Sequence, residues 1–220
     1  MSPRISFEKD LTLLDGNVAE MGKKALENYE ALFAAFEKGD KEEIHRITKI
    51  DKEIGNRQRE IESQCLFLIT KQQPIVGDLR VVTAALKVVT DIERVGDHVA
   101  DIAELLLRIG IKDLTQYSIH IVPMLMAAKD MTKMAVDAFT GRDRELAKEV
   151  IASDDVVDEL FNNVKSDLIE LLKRDAKDAD DCIDVLMIAK YLEKIGDHAV
   201  NIGQWEVFKE TGNMDNMRIL

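Results

Sequence analysis

The sequence predicts an all-α fold, with six long antiparallel helices forming two tandem three-helix bundles related by internal pseudo-symmetry. Helix-forming residues dominate its 220 positions, aromatic residues make up 5%, and there are only three prolines, a composition that favours long helices over sheets. Apolar residues recur three or four positions apart over long stretches, which is the spacing of a core-facing helix. Finally, residues 91–102 are repeated at 191–202, which indicates two copies of one structural unit.

Three helices are predicted in the first half, which we place at residues 1–112. The first helix has an apolar stripe from Phe7 to Phe36 and ends at a turn at Gly39-Asp40. The second runs from Ile44 to Leu68 and is followed by a connector at 71–78, where a proline and a glycine interrupt the pattern. The third helix carries the first copy of the repeat and continues to about Gly110.

The second half, residues 113–220, repeats this order. A fourth helix is predicted from Ile121 to Phe139, with Pro123 tolerated in its first turn. After a turn at Gly141-Arg142-Asp143, the fifth helix runs from Leu146 to Leu171. The sixth follows a polar connector and continues to about Glu210, and the polar tail beyond it is expected to fray. Short turns favour antiparallel neighbours, so each half is predicted to be an up-down-up unit.

The repeated helix places acidic residues along one face. Because an α-helix turns about 100° per residue, Glu93, Asp97 and Asp101 form one stripe, with an apolar stripe roughly opposite. The second copy places its acids and one amide in the same register: Glu193, Asp197 and Asn201. Acids four residues apart repel each other, and a cation would remove that penalty.

Carboxylate oxygens are preferred ligands of hard cations, so the stripes are candidate metal sites. One stripe cannot surround an ion that takes six or more oxygens, so a neighbouring helix must contribute further ligands. The candidates for that role are Asp51, Asp154 and Asp158. The identity of the divalent or trivalent ion (Fe, Zn, Mg, Mn or Ca) is left open, because carboxylates discriminate poorly among them.

A plainer interpretation of the stripes is a solvated acidic face. Arg94 lies three residues before Asp97, and Lys194 three residues before Asp197, so each stripe has a basic neighbour within reach on its own helix. For Asp154 and Asp158, an electrostatic role near the start of the fifth helix competes with the ligand role.

Charge and composition exclude several classes of function. The net charge is −12, and no basic face of the kind that binds nucleic acids is evident. Cys65 and Cys182 are isolated, which argues against a disulfide framework or a structural zinc site. With no apolar run resembling a signal peptide or a membrane span, we expect a cytoplasmic protein.

The repeated motifs Glu-Arg-Val-Gly-Asp-His (93–98) and Glu-Lys-Ile-Gly-Asp-His (193–198) resemble the paired motifs of the PhoU family. The segment Gln-Pro-Ile-Val-Gly-Asp-Leu-Arg (73–80) is similar to another of that family's motifs, and the likeness extends over essentially the whole chain. The resemblance implies a non-enzymatic, metal-binding negative regulator of phosphate uptake. Its partners would be the ATPase subunit of a phosphate ABC transporter and a sensor histidine kinase, and it would often form a homodimer.

Two alternatives remain at this stage: a carboxylate-bridged di-metal enzyme or metal-storage bundle, and a plain helical scaffold. Di-metal bundles use Glu-x-x-His, but the third residue after Glu93 is Gly96 and the third after Glu193 is Gly196. No nucleophile motif, P-loop or dinucleotide-binding fingerprint is present. We therefore predict no catalytic residues and no organic cofactor.

Overall fold

The computed structural model describes residues 3–72, 75–110, 113–175, 177–214 and 217–218. The side chains of residues 3–6, Asp51, Gln72 and 217–218 lie outside this description. The helices are α1 (Pro3–Lys38), α2 (Lys41–Ile47), α3 (Asp51–Gln72), α4 (Val76–Ile109), α5 (Ile121–Gly141), α6 (Arg144–Ala152), α7 (Asp154–Arg174) and α8 (Ala179–Thr211). Six of them are long, which confirms the predicted all-α class.

The two halves have the same element order and packing. The helices α1 and α3 pack against α4, and in the same way α5 and α7 pack against α8. The two repeated helices, α4 and α8, also pack against each other. They run antiparallel, because Arg108 near the end of α4 pairs with Asp184 near the start of α8, at 2.7 Å. The apolar stripes of both halves join in one continuous core.

Matching aspartates begin the short helices α2 and α6 after the predicted turns. Asp40 accepts a hydrogen bond from the Glu43 backbone N–H, and Asp143 accepts one from Leu146, both at 3.0 Å. A side-chain oxygen that caps the first turn in this way satisfies an otherwise unpaired backbone donor. The repeat therefore extends to the local chemistry of the turns.

The expectation that the second and fifth helices are continuous is wrong, because each is divided. The first interruption lies between Ile47 and Asp51, and the second is at Ser153. The Ser153 hydroxyl donates to the Val150 carbonyl at 2.7 Å, as Thr48 does to His45 at 2.9 Å. Similar bonds occur within continuous helices, at Thr70 in α3 and Ser166 in α7, so they do not by themselves account for the breaks. The second break makes Asp154 the first residue of α7.

The connectors also differ from prediction in detail. Gly77, expected in the connector 71–78, lies inside the first turn of α4, while Gln73 and Pro74 lie outside the described residues. A short 3-10 helix, Leu114–Gln116, joins the halves. The predicted boundary between residues 112 and 113 adjoins residues that are not described, and it stays a prediction.

The described part of the tail after α8 has regular structure that was not predicted. Gly212 ends the helix with a left-handed backbone, φ 74°, and its N–H bonds to the Phe208 carbonyl. Strand β1 (Asn213–Met214) then pairs antiparallel with β2 (Met217–Arg218). These four residues are too few to alter the fold class. None of the helices in the described ranges is long and apolar enough to cross a lipid bilayer.

Candidate metal centre

The first acid stripe lies on α4 with Arg94 beside it. The Arg94 Nη1 lies 3.0 Å from Asp97 Oδ2, and its Nε lies 3.6 Å from Glu93 Oε2. Glu93 is half-buried, and burial raises its pKa, followed by the neighbouring charge of Asp97. Arg94 acts in the opposite direction. The stripe is thus partly neutralised by its own helix, as the plainer interpretation of the sequence predicted.

Helix α3 covers the first stripe. A Cβ added to Gly96 would lie 2.6 Å from Ile54 Cδ1, and one added to Gly55 would lie 4.0 Å from Glu93 Oε1. Gly96 therefore allows α3 and α4 to approach closely, whereas Gly55 has room for a Cβ. From α3, the charge of Glu62 raises the pKa of Glu93 and that of Arg59 lowers it.

Helix α3 therefore brings both an acid, Glu62, and a base, Arg59, close to the first stripe. Sequence reasoning did not single out Glu62, since it lies on a helix face crowded with charges. Asp51, predicted to contribute from this helix, begins α3, but its side chain lies outside the described residues.

The second stripe lies on α8 in a similar arrangement. Glu193 is in contact with Lys190 and lies 3.8 Å from Lys194, which also pairs closely with Asp197. The Asn201 amide nitrogen donates to Asp91 Oδ1 on α4 at 3.2 Å. In this arrangement Asn201 is engaged at the contact between α4 and α8.

Asp154 and Asp158 lie on α7, which packs against α8, and their predicted role as metal ligands stays a prediction. A Cβ added to Gly196 would lie 3.4 Å from Val157 Cγ1 and 3.8 Å from Asp154 Oδ1, which are ordinary contact distances and show that α7 lies against this part of α8. Burial raises the pKa of Asp154, and the charges of Asp158 and Asp197 raise it further.

Asp155 and Glu193 act on Asp154 in the same direction. No hydrogen bond or ion pair to the Asp154 side chain is found among the described residues. It is a partly buried carboxyl group surrounded by other carboxyl groups. Hard-cation chemistry fits such a donor set, because a bound ion would offset both the repulsion and the burial.

Within the described part of the chain, no three His, Cys, Asp or Glu side chains converge closely enough to hold a metal ion. Arg94 and Lys194 lie against the carboxylates that an ion would need. Metal binding at either stripe therefore requires these basic groups to move and the carboxylates to change rotamer. The predicted ligands lie on the expected faces, but they are not gathered around one point.

The histidines of the repeated motif lie between α4 and α8. His198 Nδ1 is 2.9 Å from Asp91 Oδ1, while His98 stacks on Tyr191 with ring centroids 5.3 Å apart. Burial lowers the pKa of His98, as does the charge of His198. Sequence reasoning did not identify Asp91 and Tyr191, although their matching positions in the repeat were a usable signal.

Comparison with known proteins supports one family over the whole chain. The model of the PhoU domain matches twice, at residues 18–106 and 121–205. The chain is 35% identical to a phosphate-specific transport system accessory protein PhoU homolog from Clostridium acetobutylicum, over 94% of each protein. It is 34% identical to a homolog of the same name from Zymomonas mobilis, over 94% of this chain and 87% of that protein.

A solved structure agrees with these sequence matches. The crystal structure of the phosphate transport system regulatory protein PhoU from Streptococcus pneumoniae superposes with a TM-score of 0.87 at 26% identity. The match covers 96% of this chain and 100% of that one. With the duplicated helices, the paired acid stripes and the matched sequence all agreeing, the chain belongs to the PhoU family.

Proposed function

We propose that this protein is an accessory regulator of phosphate uptake that represses the phosphate-starvation response. The observation that carries the proposal is similarity over nearly the full length to proteins named as accessory components of phosphate-specific transport. The chain covers both halves of those relatives, so the proposal concerns the whole protein. It acts by binding other molecules and has no catalytic activity of its own.

The acid stripes on α4 and α8 bind divalent or trivalent metal ions. The second site has the stronger support, because Asp154 and Asp158 of α7 face Glu193 and Asp197 of α8. Glu93 and Asp97 anchor the first site, with Asp101 beside them. Carboxylate oxygens would supply the ligands, and water or phosphate would complete the shell.

Binding of a metal ion would change the local charge on the surface of this acidic protein. An ion at the second stripe would displace Lys194 from Asp197 and replace local negative charge with positive charge. The released lysine and the bound ion would both be available to an anionic partner. A site that is partly open can take phosphate only when the ion is present, since the stripes alone repel anions.

The partners proposed are the ATPase subunit of a phosphate ABC transporter and a sensor histidine kinase, with the protein working in the cytoplasm as a homodimer. As an adaptor, it would report metal or phosphate status from one partner to the other. The di-metal enzyme or metal-storage alternative has less support, because its Glu-x-x-His signature is replaced by Gly96 and Gly196.

The test is deletion of the gene in a strain with no second copy, followed by complementation. Deletion should leave phosphate-uptake genes expressed in phosphate-rich medium, and the wild-type gene should restore repression. A variant with Glu93→Gln, Asp97→Asn, Glu193→Gln and Asp197→Asn should be produced normally but fail to repress. As a control, exposed acids away from the stripes are replaced, by Glu145→Gln with Glu170→Gln, and repression should be kept.

Normal repression in the deletion strain would contradict the regulatory role. Full repression by the four-site variant would instead contradict the role of the stripes and leave the regulatory role in place.

A further inference from the structure

A buried acid–base pair joins the end of α8 to the end of α5. The side chains of Glu206 and Lys209 are 0% and 3% exposed, and they are in direct contact. Lys209 Nζ also donates to the Phe139 backbone carbonyl at 2.6 Å, and it lies 4.0 Å from the centre of the Phe139 ring. This one ammonium group therefore joins three partners at the contact between the two helices.

The first half of the chain has no such pair. The positions that match Glu206 and Lys209 are Leu106 and Ile109, both buried in the apolar core. Since α4 and α8 occupy equivalent places, the apolar version of this contact is known to fit the fold. The second half has replaced two core residues by an acid and a base.

A third difference accompanies the ion pair. The turn after α1 contains Gly39 with φ 70°, whereas the matching residue after α5 is Arg142 with φ 56°. A left-handed backbone is unfavourable for a residue with a Cβ. Arg142 donates to Asp15 Oδ2 on α1 at 2.8 Å, and its charge also acts on Glu206.

These three differences do not have a simple explanation in stability. Replacing a buried ion pair by apolar residues of similar size is often neutral or stabilising. Glycine would also relieve the backbone strain at Arg142. The second half nevertheless combines all three unfavourable choices in one place. This pattern indicates that the titratable acid and its basic neighbours have a use other than stability.

Glu206 is placed so that its charge changes near neutral pH. The charged groups that face it are Lys209 and Glu210 on α8 and Arg142 at the end of α5. From α4, Arg80 reaches the Glu210 backbone carbonyl at 3.4 Å. On α6, which also packs on α8, Arg144, Glu145 and Lys148 pair with one another at the surface, and Glu149 is exposed.

Burial has a larger effect on the pKa of Glu206 than these neighbouring charges have. It raises the pKa of Glu206 to about 7, although Lys209 and Arg142 act to lower it. Burial therefore disfavours the ionised carboxylate more than the ion pair stabilises it.

We propose that Glu206, Lys209 and Arg142 form a proton-linked latch, which holds the last turn of α8 on α5 and loosens as pH rises through neutrality. When the turn opens, Glu206 meets water and its pKa returns to the ordinary range of a carboxyl group. The stabilising contribution of the buried acid is complete below that range, and it is lost as pH rises through the folded-state value. Opening also breaks the bond between the Gly212 N–H and the Phe208 carbonyl, which are 2.7 Å apart and end the helix.

Hydrogen exchange of the last turn of α8 tests the latch, using protection factors corrected for intrinsic exchange between pH 5 and 8.5. We expect the protection of amides 207–212 to fall by up to about tenfold per pH unit until about pH 7 and then level off. The matching amides 105–110 of α4, which have no such pair, serve as an internal reference and should show no such fall. The variant Glu206→Gln should lose the pH dependence.

A second variant keeps the test decisive if Glu206→Gln does not fold. Glu206→Leu with Lys209→Ile installs the residue types of the first half. It should abolish the pH dependence and keep the turn at least as protected as in the wild type at pH 8. The latch is rejected if wild-type protection is independent of pH in this range, or if either variant retains the wild-type slope.

Discussion

His98 and His198 face each other across the contact between α4 and α8, with ring centroids 5.6 Å apart. Each ring meets the same position of the opposite helix. His198 bonds to Asp91, and His98 stacks on Tyr191, which is the matching residue of the second copy. The two halves therefore make this contact at matching positions. On one side His198 meets the acid Asp91, and on the other His98 meets the aromatic ring of Tyr191.

Asp91 is expected to stabilise this contact measurably. Its side chain is 13% exposed and accepts hydrogen bonds from two partners on α8. Asp91→Ala would leave both without this acceptor, so we expect the free energy of unfolding to fall by about 1–3 kcal/mol. Tyr191→Phe keeps the stacked ring and should change it by less than about 0.5 kcal/mol. Denaturant unfolding at pH 7 measures both, and equal stability of Asp91→Ala and wild type would contradict the assignment.

The repeat and its turns could be predicted because their signals are local. Asp40 and Asp143 each end a predicted turn, and in the structure each caps the helix that follows. The pairing of Arg94 with Asp97 also follows from three-residue spacing on one helix. Such features depend on neighbours in the sequence, so no knowledge of the tertiary structure was needed.

The features that were missed depend on contacts distant in sequence. Glu206 and Lys209 have the spacing of an ordinary surface pair, and only the packing of α8 on α5 shows that they are buried. Asp91 was overlooked since its partner is 107 positions away.

Two glycines in long helices should respond oppositely to alanine. Around Gly16 a new Cβ would meet nothing within 4 Å, whereas at Gly203 it would lie 3.0 Å from the Ala147 backbone carbonyl. Gly16→Ala should stabilise the protein by about 1 kcal/mol, because alanine is the better helix former. Gly203→Ala should destabilise it, since α6 must move away from α8. Thermal unfolding of the two variants checks this. Stabilisation by Gly203→Ala would show that α6 can shift away from α8 without loss of stability.

The role of Arg142 in the latch gives a separate prediction. Its positive charge lowers the pKa of Glu206, so Arg142→Gly should raise that pKa above its wild-type value of about 7. The same variant relieves a left-handed backbone. NMR titration of the Glu206 side-chain carboxyl carbon measures the shift. Asp15→Asn, which removes the partner of Arg142 and keeps the arginine, is the matched control and should move the pKa by a smaller amount.

Metal binding should depend on the carboxylate charges of the two stripes, whereas the fold should not depend on them. Glu193→Gln with Asp197→Asn keeps side-chain size and removes like charges, so we expect a large loss of bound metal with little change in helicity. Glu93→Gln with Asp97→Asn should act in the same way on the first site. Metal analysis after dialysis, together with circular dichroism, measures both effects.

Replacing the exposed acids by Glu145→Gln with Glu170→Gln removes the same amount of charge outside the stripes, and it should leave metal content unchanged. Unchanged metal content in both stripe variants would leave only the solvated acidic face.

Asp154 provides the sharpest distinction between a metal site and an acidic surface. Its pKa is raised by burial and by neighbouring acids, so its ionised form is disfavoured in the folded protein. Without metal, the stability that the neutral form contributes is complete at low pH and is lost as pH rises through the folded pKa. Asp154→Asn should therefore unfold at a higher temperature than the wild type at pH 8, and at nearly the same temperature at pH 3.5.

Added metal should reverse this order. A cation bound only by the folded wild type stabilises it by RT ln(1 + [L]/Kd), and the variant, lacking one carboxylate, should gain less. Asp155→Asn is the matched control, because Asp155 is also in the first turn of α7 but is exposed to solvent. It shares any loss of helix-dipole stabilisation. A crossover of wild type and Asp154→Asn on adding metal, which Asp155→Asn does not show, is the result expected of an ion held between α7 and α8. Parallel shifts in all three proteins would mean that the ion binds elsewhere.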